Sequence, residues 1–145
     1  MYQKSALFSV LFALFTCSVG FAQSPLGTWK TIDDNTGEAK SHIEIFEQGG
    51  KLHGKIVKLL KSAPDKLCDQ CKGDKKDKPL MGMLIVEDLA VSDDYWKGGI
   101  IMDPESGKEY GCSIWFDDKT DTNELKVRGK HWTGLYRTQT WYRVE

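Results

Sequence analysis

Apolar positions along most of this chain recur in short runs, and no stretch keeps a helical repeat long enough to define a helix. Residues typical of strands gather in the runs Leu26 to Ile32, Ser41 to Gln48, Leu52 to Leu60, Met83 to Leu89, Trp96 to Met102, Lys108 to Phe116, Leu125 to Lys130 and Leu135 to Val144. Several alternate with period two, which sends successive side chains to opposite faces of a strand. Tyr110, Cys112, Ile114 and Phe116 share one face against Glu109, Gly111, Ser113 and Trp115. Trp96, Gly98, Ile100 and Met102 are expected to share another, as are Leu125 and Val127. In the last run Tyr136, Thr138, Thr140, Tyr142 and Val144 oppose Leu135, Arg137, Gln139, Trp141 and Arg143, and alternation leaves open which set is inside.

The segments between the runs have turn chemistry. Gly49-Gly50 can take the positive φ angles of a tight hairpin, and Asp103-Pro104-Glu105-Ser106-Gly107 has Pro to preset φ and Gly to close the turn. Residues 33–37 and 117–123 read as polar hairpin loops. Residues 61–80 form the single long loop, bounded by Pro64 and Pro79. Consecutive antiparallel strands with short turns make a meander. About eight of them can close into a barrel that removes both sheet edges and leaves a small cavity. The expected fold class is therefore all-β, an antiparallel up-and-down barrel of about eight strands, with strand-borne glycines such as Gly54, Gly98 and Gly99 supplying the bends.

The first 22 residues have a different pattern. Lys4 precedes the apolar run Ala6 to Phe15, and Gly20-Phe21-Ala22 places small residues where a signal peptidase requires them. The run is short for a membrane span, and the bulky Phe15 spoils a lipoprotein signal ending at Cys17. Residues 1–22 are expected to be a signal peptide and residues 23–145 a single barrel domain, exported to the periplasm or secreted, with no membrane span once the signal is removed. The 145 residues are 40% hydrophobic and 28% charged with a net charge of −1, which fits one globular domain and excludes a nucleic-acid binder held by bulk charge. Lysines and aspartates interleave through the 61–80 loop, so it reads as solvated.

Gly27-Thr28-Trp29 is similar to the Gly-x-Trp opening of lipocalins and their calycin relatives. More specifically, the chain resembles the bacterial exported family known as domain of unknown function 2147. The resemblance lies in Leu26 to Thr31, Gly54 to Val57, Gly98 to Tyr110, Leu125 to Gly129 and Arg137 to Arg143, and the chain departs from the pattern at Lys130-His131-Trp132. It implies a calycin-like barrel in which the Trp closes one end and packs against a basic residue from a late strand. It brings no catalytic residues.

Cys68-Asp69-Gln70-Cys71 is the sharpest short motif. Such a pair can be a redox dithiol, half of a zinc site or a structural disulfide. It lies in a polar loop with no helix pattern after Lys72, and no spacing nominates two further zinc ligands, so a loop-stiffening disulfide is expected. Cys112 reads as a small buried residue. The acidic loop Asp117 to Glu124 lacks the fixed offsets of a calcium loop, so no metal, cofactor or catalytic set is assigned.

The five tryptophans are numerous for the length. Trp29, Tyr110, Trp115, Arg128, Arg137 and Trp141 are the candidate lining of a ligand pocket with apolar walls and a few polar anchors. Arg128 or Arg137 could hold a ligand carboxylate or phosphate, or stack on Trp29 instead. The expected function is a non-catalytic barrel for a small apolar or amphipathic ligand. The alternatives are a thiol-redox protein using Cys68 and Cys71, and an envelope interaction module docking through the 61–80 loop.

Overall fold

Each apolar run becomes a strand in the computed structural model, which describes residues 23–144; the expected signal peptide lies outside the described residues. The strands are β1 (Gly27–Ile32), β2 (Ala39–Gln48), β3 (Lys51–Leu59), β4 (Leu84–Ser92), β5 (Tyr95–Asp103), β6 (Lys108–Trp115), β7 (Glu124–Lys130) and β8 (Tyr136–Val144). Every strand pairs antiparallel with its sequence neighbour, and β8 returns to β1 through Thr28–Val144, Trp29–Arg143 and Lys30–Tyr142, which closes the barrel.

Alternation sets the inner wall. Ile43, Ile45, Leu52, Ile56, Val86, Leu89, Cys112, Ile114, Leu125, Val127 and Trp141 are all buried. On β8 the set with Arg137, Gln139, Trp141 and Arg143 faces inward, because Trp141 pairs with Leu125 and Arg143 with Trp29. The expected common face of Trp96, Gly98, Ile100 and Met102 is broken. The ladder pairs Trp96 with Ile114, Gly99 with Cys112 and Ile101 with Tyr110, with a bulge between Lys97 and Gly99. Gly98 takes φ +84° at this bulge, and the backbone of Glu87 and Asp88 lies where a Gly99 Cβ would stand. One extra residue switches the face of everything after it.

The two poles differ. The β2–β3, β4–β5 and β6–β7 connections and both ends of the described chain lie at one pole, which is plugged. Trp29 is fully buried there and donates its indole N–H to the Pro25 carbonyl (2.8 Å). Its ring lies 6.1 Å from Phe116, which in turn meets Trp96 edge-on at 6.2 Å. Arg143 lies over Trp29 at 4.3 Å, and its guanidinium donates to the carbonyls of Thr122, Leu26 and Ser24 (2.9, 3.0 and 2.9 Å). The basic residue that stacks on Trp29 is thus Arg143, and neither Arg128 nor Arg137, because only the last strand's end reaches β1 at the plugged pole.

At the other pole the 61–80 loop is ordered. Leu67 bridges to Pro79, and Cys68 N–H donates to Lys78 O (2.8 Å) while Asp77 N–H donates to Cys68 O (2.9 Å). Cys68 and Cys71 form a disulfide with Cα atoms 5.3 Å apart, both nearly inaccessible, and Cys71 Sγ lies 3.8 Å from Met102 Sδ. Gly107 (φ +69°) lets the β5–β6 turn pass directly beneath Gln70, where a Cβ would collide with the Gln70 carbonyl. Met102 is consequently buried under the loop although its ladder partner is the outward Glu109.

Arg143→Lys should lower unfolding stability in urea by ~1–2 kcal/mol, since an ammonium cannot span three carbonyls and an indole face together. Arg128→Lys, on the outer face, should change it by no more than ~0.5 kcal/mol.

Candidate functional site: an open cavity at the unplugged pole

Above the Trp29 plug the wall side chains do not fill the barrel. A cavity of about 780 Å³ opens at the pole formed by the β1–β2, β3–β4, β5–β6 and β7–β8 connections. Its apolar wall is Ile56, Leu59, Leu80, Ile85, Ile101, Val127 and Trp141, with Tyr110 beside the strand-borne Gly129, and the charged side chains of Lys40, Lys66, Asp69, Asp103 and Glu105 also line it. This size and mixture suit a small organic ligand.

Three of the six expected lining residues converge here. Tyr110 faces in from β6, Trp141 from the middle of β8, and Arg137 stands at the rim. The other three do not. Trp29 belongs to the plug at the opposite pole. Trp115 and Arg128 are corrected to the outer surface, since they alternate with the inward Ile114 and Val127; there the Arg128 guanidinium lies 4.8 Å from the Trp115 ring and 4.3 Å from the Tyr136 ring.

Besides Arg137 and Tyr110, the cavity has polar groups that the sequence pattern does not nominate. Thr31 and Ser41, direct partners on β1 and β2, are buried and share a hydroxyl hydrogen bond of 2.8 Å. Gln139 accepts from the Trp141 indole N–H (3.3 Å) and donates its amide to Asp34 (2.9 Å) on the β1–β2 turn, and Arg137 Nε lies 3.3 Å from the same Asp34 oxygen. Gln139 was legible through its shared face with Trp141. Asp34 carried no signal, because a turn aspartate looks alike wherever the turn ends up.

The β1–β2 turn is held in shape by Asp33, which accepts from the N–H groups of Asn35 and Thr36 and from Lys61 Nζ (2.8, 3.2 and 3.0 Å). Chiefly through the Lys61 contact, with the Asn35 N–H second, its pKa falls from 3.8 to about 2. Across the mouth, Trp132 and Leu135 on the β7–β8 connection are exposed, and His131 and Leu135 belong to the cavity rim.

The Cys68–Cys71 pair is in the disulfide form. Both sulfurs are buried, and the only helical turn after them among the described residues is the three-residue Gly73–Lys75. Cys112 is a free, buried thiol whose pKa is pushed up to about 12 by desolvation. Among the described residues no group of three His, Cys, Asp or Glu side chains is placed to hold a metal ion.

A closed eight-stranded barrel plugged by an arginine-stacked tryptophan and open at the other end is a lipocalin-like architecture. Comparison with solved structures agrees: the chain is similar to a protein described as "Protein HP1028 from the human pathogen Helicobacter pylori belongs to the lipocalin family", with a TM-score of 0.72, 20% identity, and coverage of 86% of this chain and 85% of that one. The chain itself belongs to the family described as uncharacterized protein conserved in bacteria (DUF2147), which it matches over residues 27–143. No curated protein matches it.

Two outcomes follow from these groups. The Asp33 carboxylate is stabilised in the fold, so its contribution is complete above the unfolded value of 3.8 and is lost as pH falls towards about 2. Asp33→Asn should therefore flatten the acid limb of stability across that window in a pH-dependent urea titration. Iodoacetamide at neutral pH should leave Cys112 unmodified in the native protein and label it on unfolding, as read by intact mass.

Proposed function

We propose that this protein is an exported, non-catalytic carrier or sensor barrel that encloses a small apolar or amphipathic ligand at its open pole. The observation that carries this reading is the cavity of about 780 Å³ inside an otherwise well-packed barrel. Burying an apolar ligand surface against Ile56, Leu59, Val127 and Trp141 supplies a driving force of ~25 cal/mol per Å² removed from water. Tyr110 and Trp141 act as aromatic wall, and Ser41 Oγ–H donates to Thr31 Oγ1 while Thr31 Oγ1–H donates to the Ser41 carbonyl (3.4 Å), so this pair imposes no unpaired polar group on an apolar guest. The buried disulfide then serves as a fastener of the mouth loop. It holds Cys68 and Cys71 against Pro104 and Met102, with both cysteines buried.

The test is binding of Nile red, a neutral apolar dye, followed by its fluorescence, with native mass spectrometry of the purified protein for co-purifying lipid. The wild-type protein should bind the dye. Gly129 lines the cavity, and a Cβ there meets only ordinary contacts with Tyr110 and Ile101 at 3.4–3.6 Å. Gly129→Leu should thus fill space without breaking the strand, and weaken dye binding by about tenfold or more while the melting temperature stays within a few degrees. Absence of dye binding by the wild type, or undiminished binding by a folded Gly129→Leu variant, would sink the proposal.

A further inference from the structure

We infer that the mouth of the cavity contains a site for a ligand carboxylate, and that Asp34 of this chain occupies it as a built-in competitor. The inference rests on the cavity reading above and adds the chemistry of the ligand's polar end. The observation is one hydrogen-bond donor and one guanidinium converging on a single carboxylate oxygen. Gln139 Nε2 (2.9 Å) and Arg137 Nε (3.3 Å) both face Asp34 Oδ2, and both come from the inward face of β8 at the rim of the cavity. The Gln139 amide has a fixed orientation. Trp141, buried beneath it, can only donate through its indole N–H, so the atom it meets at 3.3 Å is Oε1 and the NH₂ group is turned to the anion.

A guanidinium and an oriented amide together form a receptor for an acidic oxygen. The present occupant is a poor permanent partner. The Arg137 and Asp34 side chains are 72% and 41% exposed, Arg137 meets Asp34 as an ion pair without an aligned hydrogen bond, and exposed pairs of this kind contribute little. The turn that carries Asp34 does not depend on the contact, because Asp33 and Lys61 hold it from the other side. Asp34 can therefore swing away without unfolding the turn, and a ligand carboxylate can take its place with the chain running down past Trp141 into the apolar interior. The site prefers a carboxylate because it already accommodates one. A neutral hydroxyl would leave Arg137 with Asp34 and gain nothing at the rim.

Displacement of Nile red by hexadecanoate and by hexadecanol, in wild type and variants, tests this. Hexadecanoate should displace the dye better than hexadecanol. Asp34→Ala and Asp34→Asn, both exposed turn changes, should each tighten hexadecanoate by about tenfold, roughly one charge-assisted hydrogen bond, and leave hexadecanol unchanged. Arg137→Gln should weaken hexadecanoate alone. Glu105→Gln removes one negative charge from the same rim and frees Lys40, its ion-pair partner at 3.0 Å, without touching Asp34, Arg137 or Gln139, and should do much less than Asp34→Asn. Equal binding of acid and alcohol, equal gains from the Asp34 and Glu105 changes, or no gain from either Asp34 variant, overturns the carboxylate site while the cavity stands. Failure of both chains to displace bound dye overturns it as well. Failure of the dye itself to bind removes the cavity reading and this inference with it.

Discussion

The short seam between β1 and β8 is the constraint on which the rest of the structure depends. Only three residue pairs join the first strand to the last, and the middle pair is Trp29 with Arg143. Three ladder pairs are weak alone. The seam is reinforced from within by the indole, which occupies the plugged pole, and by the guanidinium, which ties the end of β8 to Ser24, Leu26 and Thr122. One cation thus joins the entry to β1, the β6–β7 connection and the final strand. Without that junction the sheet has two free edges, and edges of bare backbone invite pairing with other chains.

Because the plug takes so much of the aromatic volume at one end, the wall at the other end is left lined but unfilled. The inward face of β8 shows the transition in four steps. Arg143 sits at the plug, Trp141 in the wall, Gln139 at the level where polarity returns, and Arg137 at the rim. A single strand therefore reaches from the packed pole to the water-facing one, and its alternate residues set both closure and the character of the opening.

Much of this was legible in the residues themselves. All eight strands lie where short β-rich runs and turn chemistry put them, and in several of them one buried face makes the alternation strong. The face exchange on β5 was not legible, since a bulge at Gly98-Gly99 depends on how closely β4 approaches, and that is set by partners far away in sequence. The site was legible only in half. Tyr110 and Trp141 follow from strand parity once the inside is known. Trp115 and Arg128 have the same composition signal but lie one residue out of phase, and composition carries no phase. Asp34 and Gln139 meet across 105 positions of chain, a closure distance that no local pattern encodes.

Both ends of the described chain leave from the plugged pole, with Gln23 against Asp118 and Val144 paired to Thr28. Geometry then separates attachment from access. Anything attached at the ends of the described residues, 23 and 144, starts from the floor of the cup, so a tether, tag or neighbouring domain fixed there can hold the molecule fast while its opening points away into the surrounding medium.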